Sequence, residues 1–487
     1  MKKIFCLTIF GLYLLFGCLV FSSCGGHGAG LTHYEIVAQY DDQAQTLLCR
    51  ENVGYVNKSD NALEEICFFV YANAFESDQN AVPTSYLDKA YPNGKSFGNL
   101  DVLSIKNGQA DAEYSFSEKK NILTVNLENK LFPNESTKIE IDFVINLANI
   151  NHRLGYGAHA TNFGNFFPIA CVYENGFVKN DFSASGDPFF SESADFEITF
   201  SCPSDYVVAS SGKQGKIYIE DGIKTTQMTG KSVRDFAIVV SKEFKLLQKE
   251  VEGVCVKYYF YDDENAENHL NLAVDALSTY SKAFCDYPFS QLSVVKTNFC
   301  FGGMEYPNLV MISDSLSDEE SICYVTAHEI GHQWWYSLVG NNQFSESWID
   351  EGLTEFSTAY FFEKNPSYGI KYEDIMNGAT EHYKKFVEIY SKTLGMPVSQ
   401  KMTRTLADFD TEPEYVCNIY TKGMLLFDAV RKSMSDFKFF RCLRNYINEF
   451  KYQNVSKEML ISSFSRSCHR DLESFFNSWL EGDVIIK

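Results

Sequence analysis

Two periods of apolar and polar residues divide the chain. From about residue 33 to 243 short runs alternate apolar and polar residues, as in FEITFSC (196–202) and YVVASSG (206–212). Turn clusters such as Asn57-Lys58-Ser59-Asp60 and Pro133-Asn134 punctuate these runs. A period of two turns one strand face to a core and the other to water, so the stretch predicts an antiparallel β-sheet or sandwich. After residue 244 the runs lengthen. Strand-like SVVKTNFCF (293–301) and NLVMI (308–312) lead into helical patterns over 264–284, 317–339, 346–363, 371–392, 418–434, 437–450, 456–467 and 470–481. A few strands followed by a run of helices is an α+β fold. The expected units are an N-terminal β domain, 33–243, and a mainly helical domain, 244–487, with Lys242–Glu252 as the joint.

The start of the chain has a third character. Lys2 and Lys3 precede an uncharged apolar run over residues 4–21, and Ser22, Ser23 and Cys24 follow it. A basic start, an apolar stretch and small residues predict a secretory signal over 1–24, then a linker over 25–32. A Cys at this place resembles a bacterial lipobox, which makes Cys24 a candidate lipidation site. The alternative is an uncleaved anchor, since 18 apolar residues lie near the lower limit for spanning a bilayer. Either way the body is expected outside the cytoplasm, held to a bacterial cell membrane by a lipid on Cys24 or by the uncleaved anchor, with no other membrane attachment.

Composition changes the picture in two ways. The net charge of -22 disfavours nucleic acid and anionic lipid as partners, because both need clustered Lys and Arg. Of 14 cysteines, three lie in the leader and eleven are scattered from Cys49 to Cys468 without metal-type spacing. Buried free thiols are the preferred reading over a disulfide framework, and eleven is odd in any case.

The chemistry centres on His328-Glu329-Ile330-Gly331-His332. Histidines at i and i+4 share one helix face and can reach one ion. The Glu between them can take a proton from a water held there. Glu351, 19 residues after His332, sits on the next helical pattern, which a turn at Gly340-Asn341-Asn342 would return beside the first. Two His and one carboxylate make a catalytic zinc site with a position open for water. Glu355, one turn beyond Glu351, could fix the His328 tautomer by accepting its distal N–H. Trp334, Trp335 and Trp348 flank both motifs and are read as a packed wall behind the metal.

These residues carry a resemblance. HEIGHQWW (328–335) and WIDEGLTEF (348–356) resemble the paired zinc motifs of the aminopeptidase N and leukotriene hydrolase family of gluzincin metallopeptidases. Gly302-Gly303-Met304-Glu305-Tyr306 resembles that family's GxMEN motif, and Tyr420-Thr421-Lys422-Gly423 its Tyr-x-Lys-Gly, with Tyr415 five residues before. The resemblance implies a thermolysin-like catalytic domain with one zinc ion per chain on His328, His332 and Glu351. It implies Glu329 as general base and Tyr420 as oxyanion stabiliser. Glu305 would bind the free α-amine of a peptide, with Gly302, Gly303, Met304 and Tyr415 lining the substrate site. The family's Asn is Tyr306 here, which leaves its usual amide contact to the peptide open. A second amine-binding residue is expected within 155–175. The larger members carry further domains, so a chain stopping at Lys487 implies a more open site. The expected activity is zinc-dependent removal of an N-terminal residue. A thermolysin-type endopeptidase and an inactive peptide-binding surface protein are the alternatives. Nothing in the sequence sets the oligomeric state.

Overall fold

The computed structural model describes residues 30–77, 82–482, 484 and 486. The expected leader with Cys24, and linker residues 25–29, lie outside the described residues. Leu31–Lys487 form one compact unit.

The alternating runs of the first half do form strands. An eight-stranded sheet runs in the order 213–220, 223–233, 194–203, 33–41, 46–56, 136–146, 99–107, 110–111. Thr46–Val56 buries every second residue, as a strand with one wet face must. The pairing is antiparallel except between His33–Asp41 and Ala194–Pro203, where His33 stands opposite Asp195 in a parallel ladder. Two four-stranded sheets complete the β half, and one apolar core is shared among the three.

The second half opens on a five-stranded sheet in the order 245–251, 254–260, 291–297, 309–313, 303–304. Lys242–Glu252, expected as a joint, instead supplies its edge strand Lys245–Val251. That strand, KLLQKEV, is exposed along most of its length, so it has no buried face to impose an alternating pattern. The strands at 291–297 and 309–313 are parallel neighbours. They read as continuous apolar runs because both faces are covered. Val294 and Val310 pack among the helices, while Val295 and Met311 pack into the β-half core.

The principal helices are α1 Ala266–Ala283, α2 Glu319–Gly331, α3 Trp348–Lys364, α4 Tyr372–Leu394, α5 Lys422–Lys432, α6 Asp436–Phe450, α7 Lys457–Cys468 and α8 Glu473–Leu480. Helix α2 starts where Asp318 accepts the Ser321 N–H, with Glu319 and Glu320 favourably placed in its first turn. It is shorter than the pattern predicts, giving way to a kinked turn over Gln333–Leu338. Trp334, Trp335 and Trp348 are fully buried around this turn, as the wall reading expects.

One arginine joins the two halves. Arg234, buried, donates to the carbonyls of Ser191, Ser337 and Gln453 and to Asn454 Oδ1. Gly340 leaves room for it, since a Cβ there would stand 2.3 Å from the guanidinium carbon. All eleven cysteines of the described residues are free thiols. Among the described residues no helix is long and apolar enough to cross a membrane.

Candidate active site

Helix α2 presents His328, Glu329 and His332 to a cavity of about 270 Å³, and α3 presents Glu351 and Glu355 to the same space. The Nε2 atoms of His328 and His332 lie 3.1 Å apart, and Glu351 Oε2 is 3.3 Å from each. For ligands about 2.0–2.1 Å from a tetrahedral zinc ion, the edges of the ligand triangle are roughly 3.3 Å. The three side chains therefore fit that ion. Electrostatics agrees. Burial alone would depress His332, yet the charges of Glu351 and Glu305 hold it up at about 10. Burial would raise Glu351, yet His332 and His328 pull it down to about 2. The raised His332 shows that the surrounding carboxylates favour positive charge where the three atoms converge, and the lowered Glu351 stays an ionised carboxylate beside it.

The outer nitrogen of His332 faces hydrogen-bonding oxygens, and that of His328 has a carboxylate at ion-pair distance without hydrogen-bond alignment. Glu355 Oε1 lies 3.1 Å from His328 Nδ1, and the Tyr324 hydroxyl donates to Glu355 Oε2. His332 Nδ1 faces the Trp335 carbonyl and Thr354 Oγ1, both at 3.1 Å. A proton on each Nδ1 leaves each Nε2 lone pair for an ion.

Glu329 stands beside this centre with Oε2 unpartnered. Burial lifts its carboxyl to about 8. It fits because Gly303 has no side chain. The Tyr420 hydroxyl donates to Glu351 Oε1 at 2.5 Å, so Tyr420 reaches the cavity beside the His328, His332 and Glu351 cluster. The approach depends on glycines: α3 and α5 touch at Gly352 and Gly423. Lys422, the first residue of α5, is buried and donates to the Gln400 carbonyl, a packing role.

Glu305 lines the same cavity, with Gly302, Gly303 and Tyr415. Burial and the nearby Asp187 charge push its carboxyl to about 7. One of the expected substrate contacts needs correction. Met304 does not line the cavity: alternation along its short strand turns it into the β-half core. Tyr306 is also fully buried, its hydroxyl donating to Asn165 Oδ1. Gly164 makes the space, since a Cβ there would collide with the Tyr306 ring.

No residue of 155–175 lines the cavity. The β half reaches it instead through Arg153 and Ser185-Gly186-Asp187, with Arg153 Nη1 and Asp187 Oδ1 2.6 Å apart. Asp187 follows Gly186, whose φ of +72° favours glycine and whose missing side chain admits the Tyr415 ring. A Gly-Asp turn in the sequence was the available signal. Gln343 gave none. It is fully buried and bridges Glu305 and Asp350, and its role emerges only from the folded chain.

Residues 268–479 match the Peptidase family M1 domain. Endoplasmic reticulum aminopeptidase 2 of Homo sapiens is 27% identical over 242 residues, 46% of this chain and 24% of that protein. Mitochondrial aminopeptidase 2 of Saccharomyces cerevisiae is 24% identical over 280 residues, 54% of this chain and 29% of that one. The chain thus spans about a quarter of the length of these relatives. Among solved structures, the M1 zinc metallopeptidase of Deinococcus radiodurans superposes with a TM-score of 0.68 at 16% identity. The match covers 96% of this chain and 97% of that one, which shows the same two-part fold. A mutant of that enzyme bound to a Tyr-Ser-Ala substrate gives 0.66 at 16% identity, over 96% of this chain and 97% of that one.

Proposed function

The chain carries a peptidase family M1 domain, and from that premise we propose that it is a zinc aminopeptidase that removes the N-terminal residue of peptides. The observation that carries the reading is the cavity itself. Its lining holds the His328, His332 and Glu351 triangle with Glu329, and also Glu305 and Asp187. Glu305, within 4.8 Å of a His332 ring nitrogen, and Asp187, paired to Arg153, add carboxylate oxygens beyond the three ligands, which suits a substrate ammonium by charge-assisted hydrogen bonds. An internal peptide bond has no charge to satisfy there, and a binding protein has no need of Glu329.

His328, His332 and Glu351 would hold one zinc ion, which supplies Lewis acidity to the scissile carbonyl and to water. Glu329 accepts the proton of the attacking water and later passes it to the leaving amine. Tyr420 exchanges its bond to Glu351 for one to the developing oxyanion. Glu305 and Asp187 grip the ammonium and so fix which peptide bond reaches Glu329. Tyr306, buried, leaves peptide contact to the other walls. Export and lipid attachment at Cys24 belong to the same proposal and rest on the leader pattern alone. Free and N-acetylated forms of one aminoacyl-fluorophore test the reading. The free form should be cleaved and the blocked form spared, and equal cleavage would favour an endopeptidase.

A further inference from the structure

Glu305 is a buried carboxylate, and its direction has to be enforced by a neighbour. Gln343 Nε2 lies 2.9 Å from Glu305 Oε1 and 2.8 Å from Asp350 Oδ2. An amide nitrogen has two hydrogens, and here each is spent on a different buried carboxylate. Asp350 Oδ1 is itself held by Asn341 Nδ2 at 2.7 Å, so the far end of the bridge is anchored. Asp350 immediately precedes Glu351 on α3.

The backbone of Gln343 ties in a third element. Its N–H donates to the carbonyl of Phe189, two residues after Asp187. The adjacent Asn342 accepts from Asn180 Nδ2 at 2.9 Å. One residue therefore connects Glu305, just after the strand 303–304, with the start of the ligand helix and the β-half segment that brings Asp187 to the cavity. Gln343 is fully buried and does not line the cavity, so it acts through Glu305.

We propose that Gln343 is the positioning residue of the amine site, resting on the aminopeptidase reading above. It turns the Glu305 carboxylate toward the ammonium and fixes the spacing of that carboxylate from the zinc-ligand helix. Loss of the bridge frees Glu305 to rotate, which weakens capture of the free amine. It leaves the His328, His332 and Glu351 triangle in place.

The test is a double-mutant cycle of Gln343→Met, which keeps the volume and removes the amide, with Glu305→Ala. The substrate is a free aminoacyl-fluorophore, and zinc content and melting are followed in every variant. Gln343→Met should raise KM about ten- to hundredfold with a smaller change in kcat, and with zinc retained. It should cost little further once Glu305 is alanine. Gln343→Asn, one carbon too short to reach both carboxylates, carries the same comparison if the methionine variant does not fold. Equal losses in both Glu305 backgrounds, or an effect on kcat alone, would overturn the proposal. A Glu305→Ala enzyme with unchanged KM would instead defeat the aminopeptidase reading, so the two failures are distinguishable.

Discussion

Gly352 and Gly423 meet backbone to backbone. A Cβ on Gly423 would stand 2.8 Å from Gly352 Cα, and one on Gly352 would stand 3.0 Å from Gly423 Cα. These glycines close the Glu-Gly and Lys-Gly steps of two motifs, and the contact sets how near Tyr420 comes to Glu351. The obstacle to a side chain is backbone, which cannot swing away. Gly423→Ala should force α3 and α5 apart, costing about 1–3 kcal/mol of stability in urea unfolding. Turnover should fall more than zinc content, because Tyr420 moves while His328 and His332 stay. Unchanged turnover would separate Tyr420 from the chemistry.

Gly303→Ala acts differently. A Cβ there would stand 2.4, 2.5 and 2.6 Å from Glu329 Oε1, Cγ and Cδ, so the whole side chain rather than any backbone must shift. The fold should therefore absorb the change with a small shift in melting. The displaced base should lower kcat by about 10²-fold or more, the scale of general-base catalysis. Steady-state kinetics beside a melting curve distinguishes this outcome from general destabilisation.

Much of this site is legible in the sequence because helix periodicity is strict. HExxH fixes two rings on one face of α2, and Glu351 and Glu355 fall one turn apart on α3. The period-two runs likewise give the β half. Contacts between elements distant in sequence are not legible. Asp187 reaches the cavity only through the Gly186 turn, and Gln343 matters only once three elements converge on it. Met304 was misplaced because strand alternation sends it opposite to Glu305. The edge strand Lys245–Val251 escaped detection because a strand without a buried face leaves no pattern.

A pH signature is expected far from the site. Glu51 is buried in the β half, and among the described residues neither of its carboxylate oxygens has a hydrogen-bond partner. Burial raises its carboxyl well above the usual 4.5. In the folded chain it keeps its proton at pH values where the unfolded chain has released it. Folding then binds a proton, and stability falls as pH rises above the unfolded value, until the folded group also ionises. Glu51→Gln removes that cost. The variant should melt above wild type at about pH 8 and no higher than wild type at about pH 4. A difference independent of pH would mean that ionisation of Glu51 does not govern it.

The central claim is that His328, His332 and Glu351 hold zinc while Glu329 moves the proton. The most direct measurement is zinc content and aminoacyl-fluorophore turnover, in parallel, on wild type and Glu329→Ala. Both proteins should bind one zinc per chain, and turnover should fall by about 10²–10⁴-fold in the variant alone. Absence of bound zinc in wild type, or undiminished turnover in Glu329→Ala, would contradict it.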